Sequence, residues 1–208
     1  MMYGAKEHWE NIYQTKKPNE VSWHQENPKT SLNLIAEAGL GKNASIIDIG
    51  AGDSKLVDNL LDIGFRNITI LDISSMALEK AKKRLGNKAD IVKWVVSDLR
   101  EFETSDRYDL WHDRAVLHFL TAEEDINKYA EAARRFLKPN GYLILSTFSE
   151  NGPKRCSGLD IKQYSEDSVK ELFSDFEHLR SFEEKHLTPW EASQIFIYSM
   201  FRKMGDKK

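Results

Sequence analysis

Three aspartates stand in the settings where this sequence can do chemistry. Asp48 opens the run Asp48-Ile49-Gly50-Ala51-Gly52-Asp53-Ser54, Asp72 stands in Leu71-Asp72-Ile73-Ser74, and Asp98 stands in Ser97-Asp98-Leu99. Glycine lets a backbone approach a ligand where any Cβ would collide, which singles out Gly50 and Gly52, and a helix starting just after them offers free N–H donors. A carboxylate at a strand end, as at Asp72, can accept both hydroxyl hydrogens of a ribose. Asp98 with the neighbouring backbone N–H of Leu99 can address an amino group and a ring nitrogen of adenine. The combined pattern is that of a nucleoside-binding crevice.

These residues meet only if the fold sets three strand ends side by side. From residue 44 onward, short β-rich apolar runs alternate with amphipathic helical stretches, the pattern of a parallel sheet covered on both faces. Strands are expected at 45–49, 68–71, 91–96, 108–112 and 142–147. A helix over 53–63 would put Leu56, Val57, Leu60 and Leu61 on one stripe and stop at Gly64. A second helix, capped by Ser74 or Ser75, would turn Met76, Ala77, Leu78, Ala81 and Leu85 inward and stop at Gly86. A third over 122–137 would close at Pro139-Asn140-Gly141. Open α/β sheets bind ligands at the carboxyl ends of their strands, so the three aspartates are expected to converge on one crevice.

Beyond residue 147 a loop with Gly, Pro, Ser and Lys runs to about 164, followed by a short helix over 166–173. Extended runs at 178–186 and 193–202, broken at Thr188-Pro189, predict an antiparallel hairpin at one sheet edge. Ahead of the sheet, helices over 5–16 and 28–38 flank Val21-Ser22-Trp23-His24 and are placed to cover the carboxyl edge. The expected fold class is therefore α/β, a doubly wound, mostly parallel seven-stranded sheet with an antiparallel C-terminal hairpin. One domain is expected over 1–208, with a helical cover (1–43), a core (44–147) and a lid loop, helix and hairpin (148–208).

Charge separates two candidate cofactors. Three nearby carboxylates would repel the pyrophosphate of a dinucleotide, whereas S-adenosylmethionine has no phosphate and carries a sulfonium and an ammonium. Lys55 also stands where the dinucleotide fingerprint wants a small residue. The three Asp motifs resemble the successive motifs of the class I, seven-strand, Rossmann-like S-adenosylmethionine-dependent methyltransferases. Leu137-Lys138-Pro139-Asn140-Gly141-Tyr142 is similar to that family's turn before strand five, while Ser54 departs from its frequent third glycine. The resemblance implies S-adenosylmethionine as cofactor, S-adenosylhomocysteine as product, and a cofactor surface made by Asp48, Gly50, Gly52, Asp53, Asp72, Ile73, Asp98 and Leu99. Trp9-Glu10-Asn11-Ile12-Tyr13 with Trp23 is similar to the amino-terminal segment of a subgroup that includes protein-lysine methyltransferases, and that implies an aromatic cofactor cover. The residues themselves equally allow Trp9 and Tyr13, one helical turn apart, to anchor a helix to the core.

Methyl transfer is an in-line displacement on an activated sulfonium, so positioning matters more than a dedicated base. Candidates lie in His112-Asp113-Arg114-Ala115-Val116-Leu117-His118-Phe119. Arg114 is expected to pair with the cofactor carboxylate, and Asp113 or His118 to accept a proton from the acceptor. The alternatives are an Asp113–Arg114 ion pair and a hydrogen-bonded core histidine at 118. The loop 150–158 reads as a lid, His186 is expected near the acceptor, and Cys156 reads as a structural thiol.

With 30 Lys+Arg against 33 Asp+Glu interspersed along the chain, the net charge of −3 gives no basic field for nucleic acid. One cysteine excludes an intrachain disulfide and a multi-cysteine metal site, and no metal is expected. No apolar run is long enough for a membrane span or a signal core, so a soluble, cytoplasmic protein is expected, acting on a small molecule or a protein lysine. The rival readings are an NAD-dependent oxidoreductase and a non-catalytic module that binds S-adenosylmethionine.

Overall fold

The computed structural model describes residues 5–205; Met1–Gly4 and the last three residues of the basic tail lie outside them. Helix α1 (Ala5–Thr15) and helix α2 (Lys29–Glu37) precede strand β1 (Ser45–Ile49). The core then runs through α3 (Leu56–Asp62), β2 (Asn67–Asp72), α4 (Ser75–Leu85), β3 (Lys93–Val96), β4 (Tyr108–Arg114), α5 (Glu123–Phe136) and β5 (Leu137–Phe148). After it come two short strands, β6 (Arg155–Cys156) and β7 (Leu159–Asp160), then α6 (Glu166–Leu172), β8 (Phe176–Leu187) and β9 (Ser193–Lys203).

Seven strands form one sheet in the order β3-β2-β1-β4-β5-β9-β8, with β6 and β7 paired separately. β1 through β5 run parallel, while β9 is antiparallel to both β5 and β8. β1 is buried along its whole length, as a central parallel strand with both faces covered must be. One core layer joins Leu34, Leu60, Leu78, Ile144 and Phe148; the other joins Tyr108, Trp111, Tyr129, Phe136 and Phe173. The strand order reverses between β1 and β4, the switch point where such sheets open a crevice.

Several element ends differ from expectation for local reasons. β3 starts at Lys93 because residues 86–91 form a 3₁₀ turn that leaves Ile91 exposed. On α4 the inward stripe is Ala77, Leu78, Ala81 and Leu85, while Met76 in its first turn is 38% exposed. Ser74 caps this helix by accepting the Ala77 N–H at 3.1 Å. β5 begins at Leu137, directly at the end of α5, and Pro139-Asn140-Gly141 lies inside it as a bulge between the Tyr108–Leu137 and Leu110–Tyr142 pairs. Asn140 takes the left-handed φ of 63° there, and a Cβ on Gly141 would fall 2.9 Å from the Lys138 carbonyl, so that position needs glycine. The long loop after β5 is partly ordered by the β6–β7 hairpin, whose turn residues Ser157 and Gly158 both have positive φ.

Candidate active site

The β1–α3 turn is shaped by its two glycines. Gly50 and Gly52 both have φ of +57°; a Cβ on the first would fall 1.9 Å from Val116 and one on the second 2.1 Å from the Tyr13 hydroxyl. Gly50 lines a cleft shared with Ile49, Leu71, Asp72, Ile73, Asp98 and Leu99. Asp72 is held on both oxygens, by the Gly52 N–H at 2.8 Å and the Ser74 N–H at 2.8 Å. Burial pushes its carboxyl up to about 6 despite these two donors, with the Asp48 and Glu10 charges adding to the rise. Each oxygen keeps a further lone pair for a ligand hydroxyl. Asp98 caps the following 3₁₀ turn by accepting the Arg100 N–H at 2.9 Å and is gripped by the Arg100 guanidinium, which also reaches Asp125 at 3.0 Å. Its partial burial opposes ionisation, but Arg100 outweighs it and holds the Asp98 carboxyl below the usual range. Asp53 is set outside this cleft, in a groove with Lys16, Lys80 and Arg84, and its carbonyl accepts from Arg84.

Asp48 does not join the crevice. Its side chain turns into the protein and meets His112 Nδ1 at 2.6 Å, both groups nearly inaccessible, while His112 Nε2 meets Ser31 Oγ at 2.9 Å. The expected convergence of three carboxylates is therefore corrected to two. The cause is β1–β4 register, which sets Asp48 beside His112. The triad ties α2 to the two central strands.

The amino-terminal segment closes the cleft. Trp9, Tyr13 and Trp23 all line it, with Trp9 edge-on to Trp23 at 5.7 Å and to Phe119 at 5.0 Å. Tyr13 is buried against the Asp72 and Asp53 charges, and burial drives its phenol well above the usual range. Glu10, on the same helix, holds the start of α4: its carboxylate accepts from the Ser75 N–H at 2.8 Å, the Met76 N–H at 3.0 Å and the Ser74 and Ser75 hydroxyls. Desolvation works against this, yet the Met76 N–H and the serine donors hold Glu10 down to about 2. An acid with a lowered pKa adds stability above its unfolded pKa and loses that contribution as pH falls through the folded value, here about 2. Glu10→Ala should cost about 0.5–2 kcal/mol, as loss of a helix cap does. It should also speed hydrogen exchange across α1; unchanged exchange there would show that Glu10 holds nothing. Two further contacts fix the segment: Arg114 donates from both terminal nitrogens to the Trp23 carbonyl at 3.0 Å, and His186 Nε2 donates to the Ser22 carbonyl at 2.7 Å.

These contacts correct five expectations at the acceptor side. Asp113 is fully buried, accepts the Val116 N–H at 2.8 Å and the Leu117 N–H at 3.2 Å, and shapes the turn after β4 instead of facing the cleft. Burial raises its carboxyl to about 6. The alternative Asp113–Arg114 ion pair is absent too: both terminal nitrogens of the guanidinium donate to the Trp23 carbonyl, while its buried Nε has no partner among the described residues. His118 is fully buried, stacked on Phe148 at 4.4 Å, with neither ring nitrogen partnered; burial and the Arg114 charge lower its pKa to about 3. It forms none of the cleft lining and is not the hydrogen-bonded core histidine either. His186 supports the cover and also lies outside the lining. Arg114, Ala115, Val116, Phe119, Phe148, Cys156, Gln194 and Phe196 do line the cleft at that side. Burial raises the Cys156 thiol, with Ser157 and Ser22 nearby. Sequence reasoning missed Glu10, Arg100, Phe148, Gln194 and Phe196; the last two carried a signal in their i, i+2 spacing on one face of a strand.

The arrangement fits an adenosyl sulfonium compound: a cradle that admits no Cβ, two aspartates at adjacent strand tips, and aromatic faces that attract a cation. Among the described residues no three His, Cys, Asp or Glu side chains group as a metal site, and no helix is long and apolar enough to cross a membrane. A family model described as a methyltransferase domain matches residues 40–194. The chain is 24% identical over 166 residues to mouse (Mus musculus) eEF1A lysine and N-terminal methyltransferase, covering 75% of this chain and 23% of that protein. It is 26% identical over 159 residues to zebrafish (Danio rerio) EEF1A lysine methyltransferase 2, covering 69% and 68%. The chain thus spans about a quarter of the mouse relative. The crystal structure of the N-methyltransferase NodS from Bradyrhizobium japonicum, with S-adenosyl-L-homocysteine, shares the fold at a TM-score of 0.71 and 15% identity, covering 94% of this chain and 98% of that one. With the family model matching well over half its length, and with the seven-stranded sheet ending in an antiparallel hairpin, the chain belongs to the methyltransferase-domain family of the class I fold.

Proposed function

We propose that this chain transfers a methyl group from S-adenosylmethionine to an acceptor held in the same cleft, leaving S-adenosylhomocysteine. The observation that carries this reading is the union, in one cleft, of the glycine-floored strand tips bearing Asp72 and Asp98 with an aromatic chamber of Trp9, Trp23, Phe119, Phe148 and Phe196. The bound cofactor supplies a methyl group already activated by its sulfonium. The protein's task is then to position the two partners and exclude water. Asp72 offers its remaining lone pairs to the ribose hydroxyls, and Asp98 with Leu99 and Ile73 frames the adenine. Arg114 faces the cofactor carboxylate. Trp9, Tyr13 and Trp23 close over the cofactor as an aromatic cover, so a subgroup role and an anchoring role fall to the same residues. Asp113 and His118 enter the reaction only by shaping the wall.

The relatives named for methylating eEF1A lysines or N termini, and the Anoxybacillus flavithermus malonyl-[acyl-carrier protein] O-methyltransferase, 33% identical over 108 residues, bracket the acceptors to test: a protein lysine or a small molecule. A cytoplasmic setting without nucleic acid belongs to the same proposal, in keeping with the interspersed charges and the lone free Cys156. Incubation with methyl-labelled cofactor and fractionated metabolites or lysate should transfer label to one acceptor class and release S-adenosylhomocysteine. Binding without turnover on every fraction would leave a non-catalytic module, and thermal stabilisation by NAD in place of S-adenosylmethionine would make the protein an oxidoreductase.

A further inference from the structure

Gln194 carries a hydrogen-bond acceptor that nothing among the described residues uses. It pairs with His186 across the β8–β9 hairpin and shares the cleft lining with Phe196, two residues on. Its Oε1 is buried without a partner. A buried polar atom left unpaired is costly, and native proteins keep few of them. The wall around it is largely aromatic, formed by Trp23, Phe119, Phe148 and Phe196 with the Cys156 thiol, and the Arg114 guanidinium lines the same side, 5.8 Å from the Phe196 ring. The two aspartates of the cleft lie on the other side of the sheet, with β1, β4 and β5 between them and β9, and both are already held by backbone N–H groups or Arg100.

We propose that Gln194 receives the methyl acceptor, and that the acceptor is a neutral nitrogen nucleophile with at least one N–H on a flat, apolar body. The proposal rests on the methyl-transfer reading above. The N–H donates to Oε1, which fixes the nitrogen and leaves its lone pair free to point at the methyl carbon. The new N–C bond takes that lone pair, the C–S bond breaks with its electrons passing to sulfur, and the extra proton on nitrogen departs to water. With no carboxylate lining that side to take a proton beforehand, the nucleophile must arrive unprotonated. An acceptor without an N–H would leave Oε1 unpaired and gain no hydrogen bond from it.

Aniline and toluene are matched flat probes, both neutral, one with N–H donors and the other with none. In titration calorimetry on protein preloaded with S-adenosylhomocysteine, aniline should bind and toluene should bind at least about tenfold more weakly, the equivalent of one net hydrogen bond. Gln194→Leu should weaken aniline by about tenfold and leave S-adenosylhomocysteine affinity unchanged. Gln194→Asn, which draws the oxygen back by one methylene, should show the same loss and serves if the leucine variant does not fold. Equal or tighter toluene binding, no aniline binding, or unchanged aniline affinity in both variants would overturn the proposal. Failure of the wild-type protein to bind S-adenosylhomocysteine is a separate result; it would remove the methyl-transfer reading and this inference with it.

Discussion

Asp72→Ala should weaken S-adenosylhomocysteine binding by about 1–3 kcal/mol, the worth of charge-assisted hydrogen bonds to a ribose. The substitution also frees the Gly52 and Ser74 N–H groups that Asp72 now holds at 2.8 Å, so the β1–α3 turn should loosen with it. Two features separate ligand binding from that structural part. First, Asp72→Asn keeps the shape but removes the charge and one of the two acceptor oxygens, so it should keep one of the Gly52 and Ser74 N–H bonds, loosen the turn less than Asp72→Ala, and still lose most of the affinity. Second, affinity in the wild-type protein should fall as pH drops below about 6, where burial places the Asp72 carboxyl, and the Asn variant should not show that step. Folding stability should respond with the opposite sign. A carboxyl raised in the folded state binds its proton more tightly there than in the unfolded chain, so the contribution of Asp72, and of Asp113 likewise, decreases as pH rises from the ordinary carboxylate range to about 6. Calorimetry across that range reads both effects; affinity that ignores Asp72 and pH alike would take this residue out of the site.

Asp48→Ala should act on stability in place of affinity. Removing one member of a buried, hydrogen-bonded pair costs about 3–5 kcal/mol because the other is left without its partner. In a domain of this size that lowers Tm by roughly 6–20 °C. His112, and through it Ser31 on α2, would lose the anchor now set at 2.6 Å. Denaturant melts should show the loss, with Asp48→Asn recovering part of it, and S-adenosylhomocysteine affinity per folded molecule should stay close to that of the wild type. A normal midpoint with abolished ligand binding would return Asp48 to the cofactor.

The contrast between these two aspartates marks where sequence reading worked and where it stopped. Strand β1, the Ser74 cap, the Gly64 and Gly86 stops and the terminal hairpin follow from local rules of periodicity and capping, and the chain obeys them. The motifs therefore located the crevice. Which way each side chain turns there depends on partners far along the chain: His112 for Asp48, Trp23 for Arg114, and the Val116 and Leu117 N–H groups for Asp113. Spacing alone holds no record of these pairings. The bulge at Pro139-Asn140-Gly141 was hidden for a similar reason, since the signals that end a helix also serve an irregular strand start. Glu10 was overlooked because it caps a helix 65 residues away, whereas ordinary caps lie beside their helix.

The central claim is that one cleft, built from the Asp72 and Asp98 strand tips and roofed by Trp9, Tyr13 and Trp23, holds the adenosyl cofactor. A crystal structure of the protein soaked with S-adenosylhomocysteine tests it directly. The ribose hydroxyls should lie within hydrogen-bond distance of Asp72, the purine beside Asp98 and Leu99, and the amino-acid end between Gly50 and Arg114. Clear density for the ligand at any other place, or none at saturating concentration, would contradict the account.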